Sequence, residues 1–375
     1  MVGLRALLAL AATAALLTTG SGCSPGATGP RAEAEAFVRD LPPGFPEPLV
    51  PADNPMTPAK VELGRLLFHD PRLSGNGGLA CSGCHHPERA YTDGRARAVG
   101  SLGDEHPRSA MSLVNVAYAS TLGWDDPTLT SLEAQALVPL LNEHPVEMGV
   151  AGHEEEVLDR LRGDRAYRNL FDRAFPDSPD PFTLQQVARS LACFQRTLIS
   201  GDSPYDRWAY RAEVDALSPE ARAGAALFFS QRLACFRCHA GFNLSGNVTH
   251  AGAEPEALRF HNTALYNLDG AGAYPETNPG LYRVTGQPAD MGKFRAPTLR
   301  NVALTAPYMH DGSVPSLEAV LDHYASGGRA PAESPLKDPL LTGFELSAEE
   351  RAALIAFLGA LTDESFIEHA SRRVP

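Results

Sequence analysis

The sequence lacks what would mark a nucleic-acid binder. Its 375 residues carry 32 Lys plus Arg against 45 Asp plus Glu, a net charge of −13, with no basic block. Such a chain is poorly suited to a phosphate backbone, and that class of partner is set aside. Long apolar runs are also missing. The run over residues 6–17 is too short to span a bilayer. Strand-like alternation is scarce. Six cysteines are too few for a disulfide scaffold in a chain of this size, so their positions decide their role. Gly (33) and Pro (31) are plentiful, which implies much turn and loop. With 43% hydrophobic and 21% charged residues the composition is that of a folded protein, long enough for two ordinary domains or one large one.

The first segment reads as an address. Arg5 precedes the apolar run, and small residues lead to Cys23. This is the pattern of a secretory signal over residues 1–22. Cys23 stands where a bacterial lipoprotein carries its lipidated cysteine and membrane anchor, although Gly20 occupies a position where Leu is usual. The alternative is a soluble exported protein. Residues 24–36 read as a flexible tether, and the seven prolines over 42–58 read as an extended strap. Together they make a flexible, Pro-rich segment over 23–58. Helix-period segments are expected over 60–68, 131–141, 183–199, 218–229 and 347–361. Thr183 with Gln186 and Ser347 with Glu350 have capping-box spacing. A break near 202–215 divides the chain into domains over 59–212 and 213–375.

Each half holds the same short motif: Cys81-Ser82-Gly83-Cys84-His85 and Cys235-Phe236-Arg237-Cys238-His239. On one helical turn the two sulfurs share a face and can hold a haem through thioethers, while the next residue, His, reaches the iron. Chance gives one such motif roughly 0.003 times in this composition. Zinc is the competing reading, but its paired CxxC motifs lie about 15–20 residues apart, and these start 154 apart. A thioredoxin-like pair needs no following His. Two covalent c-type haems are therefore expected. Cys193 reads as a plain structural thiol off the apolar stripe of its helix. Two haems on an exported chain suit either a peroxide-reacting enzyme or a non-catalytic electron carrier, according to whether an iron keeps an open position.

Several further stretches carry a resemblance. These are Trp124-Asp125, Ser131 to Gln135, Pro145-Val146-Glu147-Met148-Gly149, and the block from Phe294 through Arg300, Asn301, Pro307 and His310 to Gly312. With both CxxCH motifs, they resemble the bacterial di-haem cytochrome c peroxidase and MauG superfamily over residues 45–365. The resemblance implies a mainly α fold of two cytochrome c-like haem domains, loop-rich and with little β. It implies His85 as proximal ligand of the peroxide-reacting haem, Glu147 as distal acid with Glu143 a weaker claimant, and Gln135 as distal amide. Trp124 would relay electrons between the haems. His239 would be the proximal ligand of the second haem. Plain peroxidases place Met opposite it; here the stretch Ser316 to Tyr324 contains none. MauG-like members place Tyr, which implies Tyr324, with His323 as runner-up. A hard phenolate oxygen stabilises oxidised iron. Met309 reads as haem-pocket packing and His310 as a haem-pocket contact. A calcium ion would rest on the carbonyls of Thr305 and Pro307. Its usual Asn is replaced by Ser109, and Asn115 is out of register. His106 reads as a surface residue.

Residues 260–263 and 267–275 resemble the MbnH-type branch of MauG-like enzymes, which implies oxidation of a partner protein, of Trp-modifying type. The expected function is an exported, periplasmic oxidoreductase. It would use hydrogen peroxide to form a high-valent di-haem state and then oxidise a periplasmic protein. The alternative is reduction of peroxide to water with electrons from a small cytochrome or copper protein as donor.

Overall fold

Caps and prolines set where the helices begin. The computed structural model describes residues 37–329 and 334–374; the expected signal and Cys23 lie outside them. Helix α1 (Pro58–His69) has Pro in its first turn, and Thr57 accepts the Lys60 N–H at 3.2 Å. α2 (Leu132–Leu141), α3 (Glu154–Gly163) and α4 (Arg165–Ala174) follow, then α5 (Leu184–Gln195), α6 (Pro204–Tyr210) and α7 (Pro219–Phe228). The remainder are the short α8 (Tyr282–Thr285), α9 (Leu317–Ala325), α10 (Ala348–Gly359) and α11 (Glu364–Arg372). β1 (His261–Asn262) and β2 (Lys293–Phe294) form one antiparallel pair, with His261 opposite Phe294. The fold is mainly helical and loop-rich with little β, as expected. The Ser347–Glu350 capping box forms; at α5 only the Thr183 half does, because Gln186 turns to Arg189.

One helical crossing is built twice. Gly64 of α1 lies so close to α5 that an added Cβ would be 1.9 Å from the Ser190 carbonyl oxygen. Gly224 of α7 stands in the same relation to the Ala353 oxygen of α10, also at 1.9 Å. The sequences match: Gly64-Arg65-Leu66-Leu67-Phe68 and Gly224-Ala225-Ala226-Leu227-Phe228. A second repeat follows each CxxCH, at Leu113-Val114-Asn115-Val116-Ala117 and Leu299-Arg300-Asn301-Val302-Ala303. Both asparagines are left-handed, with φ of 56° and 59°, and each opens a 3-10 turn. Both are fully buried and both bond Ser200: the Asn115 side chain accepts the Ser200 N–H and donates to the Ser200 carbonyl, and the Asn301 amide donates to the Ser200 hydroxyl. Gly64→Ala should therefore force two backbones apart and lower stability by about 1–3 kcal/mol. Thermal unfolding of the haem-loaded variant would measure this; an unchanged midpoint would show that the crossing is not tight.

The described residues belong to one compact unit. A first core forms around α1 and α3–α5, with Leu63, Leu67, Leu161, Phe171 and Val187 fully buried. A second forms around α7, α9 and α10, centred on Phe228, Leu354 and Phe357. The last helix, α11, returns to the first core through Phe366, Ile367 and Ala370.

Three stretches acquire definite packing in the structure. The break over 202–215 contains α6, whose Asp206 forms a buried ion pair with Arg300 at 2.8 and 2.9 Å. The strap is packed rather than loose: Phe45, Asn54 and Met56 are buried, and the Arg300 guanidinium lies 4.7 Å over the Phe45 ring. The strap also explains Cys193, which is fully buried with Met56 and Val61 because α5 is covered on a second side.

Candidate active site

Each CxxCH motif folds as a 3-10 turn, over Cys81–Gly83 and Cys235–Arg237. In each, the N–H of His donates to the carbonyl of the first Cys at 3.0 Å. This stacks the two sulfurs on one side. The histidine tautomers follow from their partners. His85 Nδ1 lies 2.9 Å from the Tyr91 carbonyl, and His239 Nδ1 lies 3.1 Å from that of Pro297. A carbonyl only accepts, so each Nδ1 carries the hydrogen and each Nε2 keeps its lone pair. Burial lowers the pKa of both rings, that of His239 to about 4, which keeps them neutral. The five described cysteines are free thiols. Burial pushes the Cys81 and Cys84 thiols up to about 12 and about 11, and that of Cys235 to about 11.

The first motif faces a cavity of about 460 Å³ whose walls include His85, Trp124, Gln135, Pro139 and Glu147. Gln135 projects from α2, and its Oε1 is buried without a hydrogen-bond partner. The Glu147 loop is fixed through its backbone: Ser101 N–H donates to the Glu147 carbonyl at 2.7 Å, and Met148 N–H to that of Pro139 at 2.9 Å. Burial raises the Glu147 carboxyl to about 7. Glu143 is solvent-exposed.

The second motif faces a cavity of about 550 Å³. Leu317, Val320, Leu321 and Tyr324 recur at helical spacing, so α9 presents one stripe to this wall. Burial and the Cys238 and Cys235 sulfurs push the Tyr324 phenol well above its ordinary pKa. His323 is turned aside, its Nε2 donating to the Thr263 carbonyl at 2.9 Å. Met309, Thr305 and Pro307 also line this cavity. His310 stacks on Phe294 with ring centres 3.6 Å apart, and its Nε2 has no partner.

Trp124 and Arg295 line both cavities. The Trp124 indole N–H donates to the Ser109 carbonyl at 3.1 Å, and Ser109 N–H to that of His310 at 2.9 Å. A chain of hydrogen bonds thus joins the two sites. The cavities suit two haems: both have cofactor size, within about 300–1,000 Å³. Each offers two sulfurs and one basic Nε2, and the walls retain unpartnered polar atoms at Gln135 and His310.

The di-haem cytochrome c peroxidase family matches residues 58–214, and the RoxA-like, cytochrome c-like family matches residues 293–326. The chain is 36% identical over 351 residues to the methylamine utilization protein MauG of Methylorubrum extorquens, covering 91% of this chain and 90% of that protein. The chain belongs to the di-haem cytochrome c peroxidase and MauG family. It is also 35% identical to the cytochrome-c peroxidase IdrP1 of Denitromonas iodatirespirans, over 92% of this chain and 93% of that one. Its fold is shared with a MauG-like protein associated with microbial copper homeostasis, at a TM-score of 0.86 and 46% identity, over 91% and 99% of the two chains. Membership establishes a peroxidase-type oxidoreductase with two covalently bound c-type haems, acting with hydrogen peroxide and a protein partner or electron donor.

The expectation for His106 is corrected. It is not a free surface residue: it lines the first cavity, and its Nε2 is 3.9 Å from Glu147 Oε1. The proximity arises because Val146 N–H bonds Asp104 and Arg108 anchors on Asp125, which folds 104–108 over the Glu147 loop. No spacing in the sequence announces that contact. Asn115 commits its side chain to the backbone of Ser200. Among the described residues no helix is long and apolar enough to cross a membrane.

Proposed function

We propose that this family member is an exported, periplasmic enzyme that uses oxidising equivalents from hydrogen peroxide to oxidise a partner protein, in the manner of the MauG-like branch. The observation that carries this reading is Tyr324, on the cavity wall with Cys235, Cys238 and His239, where plain di-haem peroxidases place Met. The likeness to a MauG-like protein supports it.

Cys81 and Cys84 would hold one haem as thioethers and Cys235 and Cys238 the other, with the free Nε2 of His85 and of His239 available to its iron. When bound, the haems supply the redox-active iron that accepts oxidising equivalents from peroxide. Glu147 takes the proton of the nearer peroxide oxygen and returns it to the departing oxygen, the role of a positioned general acid–base. The Gln135 amide orients the peroxide. Trp124 passes electrons between the cavities. The phenol of Tyr324, on the wall of the cavity that Cys235, Cys238 and His239 also line, would supply a hard oxygen donor to the second haem. The Thr305 and Pro307 carbonyls would be the oxygen donors of a calcium ion, whose preference is for such ligands. Cys23 would tether the chain to the membrane if lipidated. The partner's oxidised group is a Trp side chain.

The competing reading, reduction of peroxide to water with electrons from a small cytochrome or copper protein, is favoured by Met309, which lines the same cavity. Adding peroxide to the oxidised holoprotein without any donor separates the two. A persistent oxidised spectrum, followed by a mass gain in a co-expressed partner, is expected. Turnover that requires a cytochrome or copper donor, with no modified partner, would overturn the proposal.

A further inference from the structure

His106 is held in one tautomer. Its Nδ1 accepts the backbone N–H of Arg108 at 3.2 Å, so in the neutral ring the hydrogen is on Nε2. That nitrogen faces Glu147 Oε1 across 3.9 Å. The Nδ1 side of the ring is anchored, because Arg108 is clamped to Asp125 by two bonds of 2.6 Å and to Asn278 by one of 2.8 Å. Burial and the Arg108 charge lower the pKa of His106 to about 4. It therefore meets Glu147 as a neutral N–H donor and not as a cation.

We infer that His106 is a positioning residue for Glu147, its Nε2–H closing onto Oε1 whenever that carboxyl is ionised. The inference rests on the reading of Glu147 as the acid–base group. Contacts of this kind are often long in a resting site and tighten as charge develops. A hydrogen bond to a carboxylate favours the charged form, so it opposes the burial that raises Glu147. Its role is to keep enough carboxylate available near neutral pH to accept the peroxide proton, and to aim Oε1 into the cavity. No proton is consumed: Glu147 gains one from the nearer oxygen and returns it, while Nε2 keeps its own.

The other charged groups around the pair leave this assignment intact. Asp125 neutralises Arg108 and also bonds Arg283 at 3.2 Å. Asp104 is occupied by the Val146 N–H. The Cys81 and Cys84 thiols are neutral and are consumed in haem attachment. His144 is exposed at the rim of the cavity.

The test compares wild type, His106→Ala, His106→Gln and Glu147→Gln as haem-loaded proteins. Peroxide reaction rates are measured from pH 5 to 9 by stopped flow. The Glu147 carboxyl band is titrated by difference infrared spectroscopy, with Glu147→Gln as the blank. His106→Ala should move the Glu147 midpoint up by about one unit and slow the reaction about tenfold below pH 6, with the loss recovered at pH 9. His106→Gln, which keeps an N–H donor, should recover most of the shift. A merely structural role would lower the rate equally at every pH. An unmoved midpoint in His106→Ala, or no recovery in His106→Gln, overturns the assignment. If Glu147→Gln instead reacts at the wild-type rate, it is the reading of Glu147 that fails.

Discussion

Glu147→Gln is expected to keep both haems and to slow the reaction with peroxide by at least about a hundredfold, the usual worth of a positioned acid–base group. The substitution preserves shape and leaves the backbone bonds from Ser101 and Met148 in place, so the loop should not move. What is lost is an oxygen that can take a proton. The wild-type profile has a definite sign. Burial raises the carboxyl to about 7, so the ionised, proton-accepting form increases as pH rises through that value. The rate should climb about tenfold per unit below the midpoint and level off above it. The Gln variant should show no such step. Stopped-flow mixing of holoprotein with peroxide would measure both. A rate unchanged by the substitution would move the role to Gln135 on the cavity wall or to the exposed Glu143.

Much of this site could be read before folding, for reasons that differ by residue. CxxCH is a local motif: one turn contains both sulfurs and the imidazole, so sequence spacing fixes their geometry. Tyr324 is legible only through the resemblance, and the helical period of α9 gives the physical reason it stands apart from its neighbour. Leu317 and Leu321 define the stripe to which Tyr324 belongs, and His323 lies one position off it, bonded to Thr263. Residues brought together by long loops were not legible. His106 and Glu147 are 41 positions apart and meet only because Asp104 and Arg108 are pinned elsewhere. The packed strap escaped composition for a similar reason: proline content speaks for extended backbone, but the burial of Phe45 depends on Arg300, far along the chain. The doubled Gly-x-x-Leu-Phe and Leu-x-Asn-Val-Ala segments acquire their meaning only in the fold, where both glycines lie at a close helix crossing and both asparagines are left-handed. A glycine that repeats at one helical position marks a close crossing. An asparagine that repeats before a turn marks a left-handed residue. With the two CxxCH turns, they describe one scaffold used twice, and the two uses diverge in the cavity walls: Gln135 and Glu147 line the first, Tyr324 the second.

That divergence makes Tyr324 the residue with the largest expected effect on the second haem. Tyr324→Phe should leave the protein folded and both haems attached, because the ring still fills the α9 stripe and the thioethers of Cys235 and Cys238 are untouched. It should change the optical spectrum of the second haem and raise its potential, because a hard oxygen donor that favours oxidised iron has been removed. Tyr324→Met supplies a soft thioether in its place. The potential should then rise by on the order of 0.1 V or more, within the roughly 0.8 V that axial ligands span. With the second haem no longer favouring the oxidised form, this variant should still consume peroxide when given a donor and should lose the oxidation of a partner protein. Spectroelectrochemical titration of the two variants, followed by peroxide addition with and without a reduced cytochrome, measures each step. A Phe variant whose spectrum and potential match wild type would remove Tyr324 from the iron. The runner-up His323 is bonded to Thr263, so Met309 and His310, which line the same cavity, would then be tested next, and a Met ligand would favour the plain peroxidase reading.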